Sequence, residues 1–225
     1  MTTPQELPDL EQSRYYMVEQ QIRPWDVHAS NVLQVLLSIQ RENYVPPEHR
    51  ALAFVDMELP IGQGQVMLAP RVEARLLQDL QIQPTDRILE IGAGTGFMAA
   101  LLARLGQSVL TLEIHQPLAD LAKRNLLANG VDNVEVRCAD GSRANQIEGE
   151  FDVILLSGSV SKVPLELIEK LAPGGRLGAI VGDEIVSRAT FVTRSADSAQ
   201  ATTRQPWDTV APRLLGFAQP PRFQF

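Results

Sequence analysis

From Pro84 onward, apolar runs of five or six residues alternate with longer stretches whose apolar positions recur every three or four. The runs at 87–91, 108–113, 134–138, 151–156 and 176–181 read as strands, and 97–105, 117–129 and 164–171 as helices. Strands that alternate with helices close into a parallel sheet covered on both faces, so the pattern predicts an α/β, Rossmann-like fold. Ahead of this core, residues 9 to 41 place Val18, Ile22, Val32, Leu33, Leu36 and Leu37 at helical spacing. Arg23-Pro24-Trp25 interrupts them, which predicts two helices joined by a turn. The glycine-rich stretch Ile61 to Gln65 reads as a loop, and Pro70 suits the first turn of a helix ending at Leu80. After Thr190 a weak alternation predicts two more strands, antiparallel. No repeat or low-complexity linker divides the chain. One domain over 1–225 is expected, with an N-terminal helical cap over 1–80 and a core over 81–225.

Candidate chemistry concentrates where the first core strand ends. Arg87-Ile-Leu-Glu-Ile-Gly-Ala-Gly-Thr-Gly-Phe97 carries an apolar strand into Gly92, Gly94 and Gly96. Glycines let the backbone reverse tightly and approach a ligand, while a helix starting near Phe97 points free N–H groups into the same crevice. A dinucleotide fingerprint needs its third glycine one position later, where this chain has Phe97. Glu90 would also repel a pyrophosphate and welcome a cationic amino-acid end. E-x-G-x-G-x-G therefore favours S-adenosylmethionine over NAD. Three glycines alone could also serve helix-on-sheet packing; a second feature in register points to a ligand. The strand at 108–113 ends in Glu113, close to the roughly 20-residue spacing at which an acid meets ribose hydroxyls.

Composition narrows the field. At 225 residues, 44% of them hydrophobic, the chain can bury one large core. A net charge of −7, from 20 basic and 27 acidic residues, argues against nucleic acid or an anionic membrane as partner. No apolar run reaches the roughly 18 residues of a membrane helix, and Met1 to Pro8 lacks the features of a signal peptide. The expected location is the cytoplasm. The lone Cys138 excludes an internal disulfide and reads as a packed core thiol within its strand. His28, His49 and His115 are scattered and neither H-E-x-x-H nor G-x-S-x-G occurs, so no metal site and no covalent nucleophile is expected.

Beyond these class-level features, longer segments resemble one family. Leu89 to Gly96, Gly130 to Val136, Ala139-Asp-Gly141 and Leu171-Ala-Pro-Gly-Gly-Arg-Leu177 with Val181-Gly182 look like protein-L-isoaspartate O-methyltransferase. Met17 to Arg23, Arg41 to Pro46 and the loop Leu59-Pro-Ile-Gly-Gln-Gly-Gln65 are its more specific part. The resemblance covers roughly residues 14 to 182. It implies a methyltransferase fold, S-adenosylmethionine as cofactor, and transfer of methyl to isoaspartyl carboxylates in the repair of damaged proteins. By the same resemblance Glu90 and Gly92-Ala93-Gly94 through Gly96 line the methionine end. Glu113, with Ile114 beside it, takes the ribose hydroxyls, and Asp140 with Gly141 meets the adenine.

One departure from the family pattern bears on the acceptor. The family's loop continues Gly-Gln-Thr-Ile-Ser, with its serine placing the substrate; here the sequence is Gly64-Gln65-Val66-Met67-Leu68. The family serine position is Leu68, and no catalytic residue is identified. The usual Ala-Ala-Ala is also replaced by Ser157-Gly-Ser159, with Ser157 a further candidate at the cleft. A carboxylate with pKa near ~4 is already ionised and needs no strong base, so alignment supplies most of the catalysis. Two other readings stay open: a methyltransferase with a different, more apolar acceptor, and a sensor or scaffold that binds the cofactor without turnover.

Overall fold

In the computed structural model, which describes residues 9–183, 186–198 and 200–219, the chain opens with helix α1 (Leu10–Tyr16), whose first turn is capped by Asp9 accepting from the Glu11 N–H. A π-helical stretch, Met17–Ile22, and a tight turn at Arg23–Trp25 carry it to α2 (Ser30–Ser38). Strands β1 (Leu59–Gly62) and β2 (Gln65–Met67) form an antiparallel hairpin where the sequence suggested only a loop. Helix α3 (Pro70–Leu80) starts on Pro70, whose missing N–H costs nothing there. The core continues through β3 (Arg87–Ile91), α4 (Phe97–Leu105), β4 (Ser108–Glu113), α5 (Gln116–Ala128), β5 (Val134–Cys138), β6 (Phe151–Val160), α6 (Leu165–Ile168), β7 (Leu171–Gly182), β8 (Ser187–Arg194) and β9 (Ala201–Asp208).

Seven strands hydrogen-bond in the order β5-β4-β3-β6-β7-β8-β9, the first five parallel and the last two joining antiparallel. Strand order reverses between β3 and β6, so the following segments leave to opposite faces and open a crevice beyond the carboxyl ends of the strands. One face packs α2, α3, α4 and α5 with the N-terminal segment through Met17, Ile22, Leu36, Leu76 and Leu101. The other face buries Leu89, Ile154, Leu156, Leu167 and Leu177.

Three expectations need correction. The helix foreseen at 164–171 is a single turn, because Pro173 and two glycines follow and β7 already begins at Leu171. β6 runs to Val160 rather than ending at 156, through an irregular register between Leu155 and Ser159. Cys138 is exposed and is no core thiol: β5 is the sheet edge, and of its five residues Val136 alone turns fully into the core.

Candidate functional site

The glycine turn reverses the chain with Gly92, Gly94 and Gly96 all at positive φ, a region closed to most side chains. Its amides are engaged on arrival: Gly92 N–H donates to the Leu112 carbonyl at 2.8 Å, tying β3's end to β4's. Around this turn the structure gathers Ile61, Gln65, Val66, Gly92, Gly94, Glu113, Ile114, Gly141 and Ser157 in one crevice. Residues 80 or more apart in sequence thus converge at the topological switch point. Gly141 fits because it has no side chain: a Cβ there would lie 2.4 Å from Ile91.

Glu90 lies beneath the crevice floor and has no exposed surface. Thr111 Oγ1 donates to one of its oxygens at 2.6 Å and Ser157 Oγ to the other at 2.7 Å. Burial pushes its carboxyl up to about 7 against these two hydroxyls, with the charges of Glu73 and Glu113 adding to the rise. Thr111 has no counterpart in the sequence reading. Only strand pairing, which sets it opposite Glu90, makes it visible.

Glu113 bridges two backbones, accepting from Gly94 N–H at 2.9 Å and His115 N–H at 3.0 Å. Glu113 itself lines the crevice, and a carboxylate has acceptor capacity beyond these two bonds. Asp140 behaves differently. Its Oδ1 accepts from both the amide and hydroxyl of Ser142, at 3.0 and 2.7 Å, and Arg143 lies 3.2 Å from Oδ2. Partial burial raises this carboxyl, but Ser142 and Arg143 outweigh it and hold it below the usual carboxylate range. Asp140 is spent on its own turn, and Ala139 and Gly141 reach the crevice instead.

The hairpin loop divides its side chains. Val66 is half-buried and faces the crevice, whereas Leu68 is buried in the main core. Gly64 and Gln63 form the exposed turn at the hairpin tip. What fixes the loop is Arg41, itself buried: Nη2 donates to the Leu68 carbonyl at 2.8 Å and Nε to the Ala53 carbonyl at 3.1 Å. Nη1 pairs with Glu73 on α3, and the guanidinium sits 4.7 Å over the Phe97 ring. Burial pushes Glu73 up to about 7 even so.

Sequence reasoning missed one wall entirely. Past β9, residues Ala211 to Leu215 lie along the irregular end of β6: Ser159 N–H donates to the Pro212 carbonyl at 2.8 Å and Leu214 N–H to the Ser159 carbonyl at 2.9 Å. Leu214 and Leu215 line the crevice. This accounts for glycine at the middle of the three replaced alanines, since a Cβ on Gly158 would stand 2.8 Å from Leu214 Cγ. With these leucines in place the open volume is about 60 Å³, far below the roughly 300 Å³ at which ligand sites begin. The donor set, two carboxylates and a glycine cradle, suits a nucleoside carrying a cationic amino-acid end, and Leu214 and Leu215 narrow the space above it. Among the described residues, no group of three or more His, Cys, Asp or Glu could hold a metal ion, and no helix is long and apolar enough to cross a membrane.

Comparison with known proteins places the chain in a family. A family model described as protein-L-isoaspartate(D-aspartate) O-methyltransferase matches residues 12–207. Proteins named protein-L-isoaspartate O-methyltransferase from Methanospirillum hungatei and Koribacter versatilis are 40% and 37% identical, over 82% and 84% of this chain and 85% of each of theirs. A Plasmodium falciparum structure described as such a methyltransferase, solved with S-adenosyl-L-homocysteine, superposes with a TM-score of 0.78 at 19% identity. It covers 88% of this chain and 96% of its own, and so shares the fold. With most of its length matched by the family model and by relatives of this similarity, the chain belongs to the protein-L-isoaspartate(D-aspartate) O-methyltransferase family.

Proposed function

We propose that the chain is an S-adenosylmethionine-dependent carboxyl O-methyltransferase whose acceptor is an isoaspartyl residue of a damaged polypeptide. The observation that carries this is the convergence of Glu113, the glycine turn, Gly141 and the loop residues Gln65 and Val66 on one crevice, in a chain of this family. The described residues serve as one domain, those up to 80 a cap that holds the loop and the rest the cofactor core. When bound, S-adenosylmethionine supplies a methyl group on a sulfonium sulfur, which an acceptor carboxylate oxygen displaces to give a methyl ester and S-adenosylhomocysteine.

The chain's residues bind and orient. Glu113, held by Gly94 and His115, accepts the ribose hydroxyls. Glu90 supplies negative potential beneath the cationic end, fixed by Thr111 and Ser157. The backbone of Ala139 and Gly141 meets the adenine, with Asp140 shaping that turn. At the acceptor end Val66 offers no hydroxyl and Ser157 is engaged with Glu90, so the loop's amides and Gln65 place the acceptor carboxylate. No base is needed, because the acceptor is already ionised, and in-line placement lowers the barrier. The site works in the cytoplasm.

The test is transfer of labelled methyl to an isoaspartyl peptide and to its normal aspartyl twin. Label on the isoaspartyl peptide alone is the expected result. Cofactor binding with no transfer to either peptide would overturn the acceptor assignment.

A further inference from the structure

A second cavity, of about 370 Å³, opens between the start of α3 and the facing ends of β8 and β9. Trp25 and Trp207, the two tryptophans of the chain, both line it, together with Arg71, Arg75, Ser187 and Asp208. Each indole carries a guanidinium on its face: Arg71 lies 4.1 Å over Trp25 and Arg75 4.7 Å over Trp207. The arginines are one helical turn apart on α3 and so share a side of it.

Most of the charge here is matched. Arg71 reaches Asp56 at 3.1 Å, and Asp208 reaches Arg188 at 2.9 Å. Arg75 is the exception: among the described residues it has neither ion pair nor hydrogen bond, and its Nε is shut off from solvent without an acceptor. A guanidinium stacked on an indole keeps its in-plane N–H edge for a planar two-oxygen acceptor. The cavity thus has the chemistry of a carboxylate site with aromatic walls.

Its walls continue those of the crevice. On one side Gln65 and Val66 lead into the start of α3, where Arg71 lies five residues beyond Val66. On the other, Thr209 and Val210 run into Leu214 and Leu215. An extended polypeptide with one residue in the crevice would be led along these segments. A net charge of −7 otherwise disfavours acidic chains, so a local cationic cavity decides whether such a segment is accepted.

We propose that this cavity is a subsite for the polypeptide acceptor, taking the carboxylate of a glutamate or aspartate a few residues from the one methylated. The subsite rests on the reading of the chain as a protein methyltransferase. Because both tryptophans line it, their emission reports on it independently of turnover. The full chain would be titrated with two capped isoaspartyl peptides, one flanked on each side by two glutamates and the other by two glutamines, and with free glutarate. Expected is a saturable emission change with the glutamate peptide, at least about tenfold tighter than with its glutamine twin. Arg75→Gln should abolish that preference and Arg75→Lys should leave part of it, both with unchanged S-adenosylhomocysteine affinity and melting temperature. Equal affinity for the two peptides, or a preference that survives Arg75→Gln, would overturn the subsite. Glutarate binding as tightly as the glutamate peptide would overturn it in favour of a free-anion site. A fluorescence preference without methyl transfer would leave the subsite standing and count against the proposed reaction.

Discussion

Glu90 and Thr111 face each other across the paired strands β3 and β4, and the threonine hydroxyl donates to the buried carboxyl at 2.6 Å. A carboxyl raised to about 7 at such a place is poised to lose its proton when a cation arrives above it.

Binding of S-adenosylhomocysteine, with its ammonium group, should therefore release a proton at and below neutral pH. At pH 6 only about a tenth of Glu90 is ionised and at pH 8 about nine tenths, so affinity should weaken by up to about tenfold between pH 8 and 6. Calorimetry in buffers of different ionisation enthalpy measures both effects. A flat profile, or one identical in Glu90→Gln, would sink the idea.

The same raised value affects the free protein. Its folded state holds the proton more tightly than the unfolded chain, so this contribution is complete below about pH 4.5 and lost as pH rises through about 7. It amounts to about 3 kcal/mol, as an order of magnitude. Denaturation of wild type and Glu90→Gln from pH 4.5 to 8 should show the glutamine variant gaining relative stability as pH rises.

Glu113→Ala should weaken S-adenosylhomocysteine by about 1.5–3 kcal/mol, the worth of hydrogen bonds to a charged group. It also strands the Gly94 and His115 amides, so Glu113→Gln, which keeps an acceptor there, should lose less. NAD should bind neither protein measurably. An unchanged dissociation constant in both variants would remove Glu113 from the site.

At the loop, Val66→Thr should raise kcat/KM for an isoaspartyl peptide by about tenfold, one charge-assisted hydrogen bond in the transition state. Leu68→Ser should not help. Its side chain lies in the core, so the change leaves a cavity and an unpaired hydroxyl, at a cost of about 2–4 kcal/mol in stability. Urea denaturation beside steady-state kinetics separates these outcomes, and a faster, equally stable Leu68→Ser protein would contradict them.

Leu214→Ala should tighten S-adenosylhomocysteine several-fold, since it removes a side chain that narrows the crevice. Weaker binding would make Leu214 a ligand contact rather than an obstacle.

The parts of this site readable from sequence are those set by local pattern. An apolar strand running into three glycines, and a second strand ending in an acid, put Gly92, Gly94 and Glu113 where the structure has them. What stayed hidden depends on distant partners. Leu214 comes back to Gly92 and Gly158 from a tail whose alternation is too weak to register. Cys138 looked buried because periodicity does not reveal that β5 is an edge. In a loop too short to show a period, nothing told Val66 from Leu68; they part because Val66 lies within β2 while Leu68 lies past its end, where the chain turns into α3. Arg75 was unremarkable until Trp207 came to lie against it from the far end of the chain.

The grip of Arg41 on the loop does not depend on which side chains the loop carries. It holds carbonyl oxygens, of Leu68 and Ala53, which every amino acid carries. Such an anchor is blind to the side chains it secures. The loop's backbone is thereby free of its own composition, so hydroxyls can be lost and apolar groups acquired without moving the path of the chain. Side chains facing the crevice can change while the backbone that presents them stays where it was.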